Sequence, residues 1–240
     1  MRCLIILLAL GIAAPANPHG IGERVTKELA SPPPGATLPV VINRTLKPQN
    51  LQPGQPISVE LIQMVPVSAN VGLPKGAKLD GHITDVNHSS ISILLDHLSW
   101  KGQTIPIHVR LLAAAAAMDV YDTGVPLSGP DRGTANRGDW TTRQIGGDQI
   151  FLSGGSGTVY DQYSEPVGYA DYTGVYANPS ASGELPHAVG PFSTTATGLH
   201  GFSELSITSA GGAGTPITLA ASQPNWQIRN GSALLLEVVR

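Results

Sequence analysis

Tyrosines and acidic residues between positions 160 and 176 are the side chains best placed to do chemistry. The tyrosines are Tyr160, Tyr163, Tyr169, Tyr172 and Tyr176. A tyrosine ring offers a large amphipathic contact at low entropic cost, and the surrounding Gly and Ser give an adaptable backbone, as in binding loops. The pattern predicts that the tyrosines bind a partner protein or a glycan. The alternative is that the rings pin this region against the rest of the protein.

Interleaved acids open a catalytic alternative. Asp161 and Asp171 flank the tyrosines and would serve a secreted hydrolase as acidic catalytic residues, with the surrounding loop as a lid. The segment GGSG at residues 154–157 is neither a nucleophile elbow nor a phosphate loop, because the Gly-x-Ser-x-Gly and Gly-Lys-Ser/Thr patterns are absent, and it indicates a flexible loop. We therefore predict a non-catalytic protein and keep the hydrolase as the alternative.

Histidines suggest a metal site that the spacing does not support. Of the seven histidines, three lie near aspartates between residues 80 and 97. Strand alternation places Asp80 and His82 on one face and Asp85 on the other, and no His-Glu-x-x-His spacing occurs. His108 and Arg110 share an outward face that is typical of a solvated surface. The sequence predicts no metal site and no cofactor.

Composition and the first residues indicate export. Charged residues make up only 13% of the 240, the formal net charge is −3, and no run of Lys and Arg would bind nucleic acid. The opening MRCLIILLALGIAAPA has one positive side chain, an apolar run and a small-residue ending, which predicts a signal peptide over residues 1–16. Retention of the leader as an anchor is the alternative. No later segment would span a membrane as a helix, so we expect a periplasmic, outer-membrane-associated or extracellular protein.

Alternating apolar residues on either side of residues 118–200 predict an all-β domain. Residues 17–36 form a Pro-rich linker that contains SPPPG. Strands are expected over residues 38–43, 57–62, 78–86, 90–96, 105–111, 216–219, 226–229 and 233–239. Turns are expected at Pro53-Gly54, at a Pro74-Lys75-Gly76 hairpin corner, at Lys101-Gly102 and at an Asn230-Gly231 hairpin.

This spacing favours a small antiparallel β-barrel or sandwich. The last strand is apolar on both faces, which places it in the middle of a sheet, paired with the N-terminal strands. The barrel domain would then comprise residues 37–117 and 201–240. Residues 118–200 are a long Gly/Ser/Tyr-rich insertion without helix or strand periodicity, and we predict an inserted loop region. The run Ala113 to Ala117 could begin a short helix.

The turn segments carry a resemblance to a known family. Pro53-Gly54, LPKGAKLDGHI at residues 73–83 and KGQTIPI at residues 101–107 resemble the C-terminal barrel of the TrbI-like subunit of conjugative and type IV secretion channels. The resemblance covers about half of the chain and implies a periplasmic barrel with an insertion. In that family the insertion consists of two amphipathic helices, whereas residues 118–200 lack such a composition. A solitary exported relative of the barrel fits the sequence better than a channel subunit.

Together these observations predict a non-catalytic exported β-barrel module that is a structural or binding component of a bacterial cell envelope. Its insertion would contact an envelope protein or a glycan. A homo-oligomeric ring, as a channel subunit would form, is a weaker alternative.

Overall fold

A computed structural model describes residues 29–127 and 139–240 of the chain. The first half contains eight strands, a short 3-10 helix at Pro48–Asn50 and one α-helix: β1 Thr37–Ile42, β2 Pro56–Leu61, β3 Val65–Ser68, β4 Val71–Leu73, β5 Lys78–Asn87, β6 Ser90–Trp100, β7 Gln103–Pro106, β8 Val109–Ala115 and α1 Ala117–Thr123. The second half contains ten strands: β9 Asp139–Arg143, β10 Gln149–Ser153, β11 Ser156–Tyr160, β12 Pro166–Asp171, β13 Gly174–Ala177, β14 His187–Ala188, β15 Gly198–His200, β16 Leu205–Gly212, β17 Thr215–Ala221 and β18 Ala233–Val238.

Eight of these strands close into an antiparallel barrel in the ring order β8-β16-β17-β6-β5-β2-β1-β18. The last strand pairs with β1 on one side, with Thr37 opposite Glu237, and with β8 on the other, with Ala233 opposite Ala115. The predicted all-β class and antiparallel barrel are confirmed. All eight strands lie within residues 37–117 and 201–240.

Aliphatic side chains fill the barrel. The inward residues of β1, β2, β5, β6, β8, β17 and β18 belong to one buried cluster, in which Leu38, Leu79 and Leu236 are fully inaccessible. A cavity among Ile57, Leu95 and Leu219 measures only ≈ 10 Å³, which is at the lower limit for a single water molecule. Around it the described side chains form a packed core.

The final strand β18 is buried on both faces. Leu234, Leu236 and Val238 point into the barrel core. Ala233 and Leu235 point outward, where they form a second cluster with Phe192 and other residues of the insertion. Two-sided burial explains why this strand lacks the polar alternation of its neighbours.

The insertion leaves the barrel after β8 and contains a second sheet. Its strands follow the order β14-β13-β12-β11-β10-β9, all antiparallel. The sequence predicted a loop region here, and the structure differs for a local reason. Gly154 and Gly155 have φ of 62° and 92° and form a two-residue hairpin turn between β10 and β11. The GGSG segment is therefore a tight turn that leads into β11.

Three other local predictions are corrected. Gly76 has φ of 86° in a hydrogen-bonded turn that begins at Pro74, and this turn connects β4 to β5. The two strands do not form a hairpin, because β4 pairs with β3 whereas β5 pairs with β2 and β6. Residues 226–229 form only an isolated bridge between Leu46 and Ile228, so the turn at Asn230-Gly231 precedes β18 without closing a hairpin. The alanine run belongs to β8 as far as Ala115, and α1 begins at Ala117.

The predicted signal peptide, residues 1–16, and residues 17–28 of the predicted linker lie outside the described residues. Within the described part of the chain, no helix has the length and apolar character needed to cross a membrane.

Candidate binding surface of the inserted sheet

The inserted sheet is docked on the outer wall of the barrel through the segment that follows β14. Phe192 is fully buried and packs with Ile145 against small residues of β8 and β18, namely Ala113, Ala115 and Ala233. The small side chains allow the insertion to approach the barrel wall closely. The Ala-rich end of β8 is thus a docking surface.

Hydrogen bonds to β1 extend this contact. The Thr37 hydroxyl donates to the carbonyl of Ala188 at 2.7 Å. At Gly190, which has φ of 58°, an added Cβ would lie 2.8 Å from Ile62 Cδ1 and 2.9 Å from Pro39 Cβ. The backbone passes so close to the barrel that only glycine fits at this position.

A buried glutamine fixes the other side of the inserted sheet. Gln63 donates from Nε2 to the carbonyl of Val175 at 2.9 Å and accepts the Val175 N–H at 3.0 Å through Oε1. The Gln63 side chain, which precedes β3, therefore binds both the backbone N–H and the carbonyl of Val175 on β13.

Tyr176 and Tyr169 pin the sheet, as the alternative reading of the tyrosine cluster proposed. Tyr176 is fully buried, and its hydroxyl donates to the carbonyl of Met64 at 3.1 Å and lies 2.9 Å from the Thr173 hydroxyl. The two rings stack with centroids 5.2 Å apart. Burial raises the pKa of both phenols, with a further increase from the charge of Asp171. For Tyr176 the hydrogen bond with Thr173 opposes this increase in pKa.

Tyr163 and Tyr172 are exposed at opposite ends of the inserted sheet, with 75% and 84% of their surface accessible. Tyr163 lies in the turn between β11 and β12, and Tyr172 lies in the turn between β12 and β13. Large aromatic side chains so exposed contribute little to stability and are available for contact.

Tyr160 forms one wall of a shallow notch on the face of the sheet. Gln149 and Tyr160 are directly opposite in the pairing of β10 with β11, and Phe151, two residues along, lies on the same face. The Tyr160 and Phe151 rings meet edge to face, with centroids 5.4 Å apart. With Asp161, Gln162 and Ser164 these residues enclose ≈ 360 Å³.

Phe151 is the residue that sequence reasoning missed. It is 49% exposed in the middle of a strand. The two-residue Gly-Gly turn would have revealed it, because a hairpin centred there places Phe151 and Tyr160 on one face.

Asp161 and Asp171 stabilise turns. Asp161 Oδ1 accepts the backbone N–H groups of Tyr163 and Glu165 at 2.8 and 2.9 Å. Asp171 Oδ1 accepts the N–H and hydroxyl of Thr173 at 2.8 and 2.5 Å. Asp161 lies in the turn that precedes β12 and Asp171 is the last residue of β12, so this six-residue strand, with a rise of roughly 3.3 Å per residue, separates the two residues by roughly 17 Å along the sheet. Paired catalytic carboxylates lie roughly 5–9.5 Å apart, so this geometry does not support the hydrolase alternative.

The histidine and aspartate residues of the barrel are dispersed along β5 and β6. The Ser99 hydroxyl donates to Asp80, and Nδ1 of His97 lies 2.6 Å from Asp96 Oδ1. Among the residues that the structure describes, no three His, Cys, Asp or Glu side chains are grouped to hold a metal ion.

A larger cleft of ≈ 470 Å³ lies between α1 and the loop that joins β9 to β10. Asp119, Asp122, Arg143 and His200 line it. Its walls carry charges of both signs, and the groups are too dispersed to define one ligand.

Comparison with protein-family models, with curated proteins and with solved structures found no match to this chain.

Proposed function

We propose that this protein is an exported, non-catalytic binding component of a bacterial cell envelope. The closed barrel is the scaffold, and the inserted sheet carries the surface that contacts an envelope protein or a glycan. Export is supported by the apolar leader with its small-residue ending.

The exposed aromatic residues of the inserted sheet carry this proposal. Tyr163 and Tyr172 lie on turns whose backbones are held by aspartate side chains, and Phe151 lies on a strand. Aromatic side chains held on an ordered framework lose little entropy on binding, and such residues dominate the energetics of many interfaces. Ligand binding inside the barrel has no comparable support, because the interior is filled by aliphatic side chains.

We further propose that the barrel is a relative of the TrbI-like barrels of secretion channels. Turns at Gly54, Gly76 and Lys101-Gly102 support this proposal, because each has the positive φ that the resembling segments imply. The insertion bears a sheet where the family has amphipathic helices, which favours a solitary module over a channel subunit. If detergent extracts of envelopes contain rings of this protein in electron micrographs, the solitary module is wrong.

Cell fractionation and envelope binding test the proposed function. The exported protein should have Asn17 as its first residue by mass spectrometry. It should cosediment with envelope fragments, and the double variant Tyr163→Ser, Tyr172→Ser should bind at least 10-fold more weakly. Tyr121→Ser is the matched control, because Tyr121 is also exposed but lies on α1, outside the two turns that carry Tyr163 and Tyr172. A cytoplasmic protein, or one that fails to bind envelopes, contradicts the proposal.

A further inference from the structure

The notch beside Phe151 combines an aromatic surface with carboxamide groups. Phe151 and Tyr160 provide the rings, and Gln149 and Gln162 line the same notch. Its volume of ≈ 360 Å³ falls in the range of small-molecule sites, roughly 300–1,000 Å³. The notch is thus large enough for a ligand with an apolar face and a polar edge.

Both sides of the notch are held before any ligand arrives. The edge-to-face contact with Tyr160 fixes the Phe151 ring. Asp161 accepts two backbone N–H groups of the turn that carries Gln162, and the Asp161 N–H donates to the Glu165 carbonyl at 3.0 Å. Preorganised side chains reduce the entropic cost of binding.

The chemistry of these groups matches an N-acetylated sugar. A pyranose ring presents C–H groups on one face, and these pack on the electron-rich face of an aromatic ring. An acetamido group presents one N–H donor and one carbonyl acceptor, which is the complement of a glutamine carboxamide. The acetamido methyl group adds apolar contact with the rings.

Charge at the notch selects against acidic glycans. Asp161 lines the notch, and Glu165 follows in the same turn and is exposed. The Asp161 carboxylate in the notch would repel a uronic acid or a sulfated sugar, and the nearby Glu165 adds to the negative charge of the turn.

We infer that the notch formed by Gln149, Phe151, Tyr160 and Gln162 binds a neutral oligosaccharide of N-acetylated amino sugars. This inference rests on the proposed binding function and names the ligand class for it.

Titration calorimetry on the full mature chain tests the inference with three tetrasaccharides. Chitotetraose carries acetamido groups, cellotetraose has the same linkage without them, and tetragalacturonic acid is anionic. Chitotetraose should bind saturably, at least 10-fold more tightly than cellotetraose, and tetragalacturonic acid should not bind. Phe151→Ala should weaken chitotetraose binding at least 10-fold, and Gln162→Ala at least 3-fold.

Trp140→Ala is the control, because Trp140 lies opposite Leu152 and therefore on the other face of the same sheet. Both Phe151 and Trp140 are exposed, so both variants should fold. If chitotetraose does not bind, or binds Phe151→Ala as well as the parent protein, the inference is wrong. Envelope binding that depends on Tyr163 and Tyr172 would then still support the broader function, with a protein partner.

Discussion

The barrel and the inserted sheet are both antiparallel, yet they are stabilised in different ways. In the barrel, long aliphatic side chains from seven strands meet in one core. The inserted sheet has a cluster of only three buried residues of its own, Ile150, Val159 and Ala170. The largest buried side chains of the insertion, Tyr176 on β13 and Phe192 in the segment after β14, instead pack against the barrel or its outer wall.

This difference indicates that the barrel folds on its own core, whereas the inserted sheet depends on docking. Burying an aliphatic side chain contributes roughly 1.5–3 kcal/mol, and a three-residue cluster offsets little of the conformational entropy of six strands. A sheet that is stabilised at one side leaves its other surface free for exposed aromatic residues. Four variants test this division.

Phe192→Ala should have the largest effect and should act on the insertion. Removing a fully buried phenylalanine side chain lowers the free energy of unfolding by about 3–5 kcal/mol. The Phe192 ring packs against Ala113 and Ala233 on the outer wall of the barrel. Limited proteolysis should cut the variant within residues 139–190 while the barrel fragments resist. Uniform cleavage of barrel and insertion would show that the two regions are not separately stabilised.

Leu236→Ala should destabilise the whole protein. Leu236 is fully buried in the barrel core, and its truncation should cost about 2–5 kcal/mol in the free energy of unfolding. Denaturant unfolding should show that the barrel and the insertion unfold in one transition, because the inserted sheet loses its packing surface when the barrel unfolds. An insertion that stays protected after the barrel unfolds would contradict the proposed dependence.

Tyr176→Phe should cost about 1–3 kcal/mol, because the Met64 carbonyl loses its buried donor. Burial raises the pKa of Tyr176 above its ordinary value of 10.0. The resulting stability is present below about pH 10 and is lost as the pH rises through the folded-state pKa, because the unfolded phenol ionises first. Unfolding free energies measured from pH 8 to pH 11 should fall less steeply for the variant. An equal slope would show that Tyr176 is not held neutral by the docking contact.

Tyr172→Ser should change stability least, by about 0.5 kcal/mol or less, because the ring is exposed. The same variant should weaken envelope binding when combined with Tyr163→Ser. A clear loss of thermal stability in Tyr172→Ser would assign this ring a structural role, and the binding surface would lose one of its members.

Sequence alone predicts the barrel well because strands such as β2 alternate buried and exposed side chains. In β2, Ile57, Val59 and Leu61 face the core and their neighbours do not. The sequence therefore indicates which face of such a strand is buried. The strands of the inserted sheet do not show this alternation clearly. In β10 the consecutive residues Ile150, Phe151 and Leu152 are all apolar, because one face forms a small core and the other carries the notch.

Residues 226–229 show the opposite error. The segment alternates as a strand would, but its strand-type backbone pairing is a single bridge that joins Ile228 to Leu46. Pairing is decided by which segment lies alongside, and local alternation does not contain that information. The sequence likewise does not distinguish Tyr176, which is fully buried, from Tyr172, which is exposed. The difference arises from the contact between the inserted sheet and the barrel.

Hydrogen–deuterium exchange on the full chain tests most directly whether residues 139–190 form an ordered sheet docked on the barrel. Amides of β10 to β13 should exchange far more slowly than those of an unstructured chain, and Phe192→Ala should accelerate them while β1, β2 and β18 remain protected. If the parent protein exchanges the amides of residues 149–177 as fast as a random coil, the inserted sheet is not formed and the proposed binding surface does not exist.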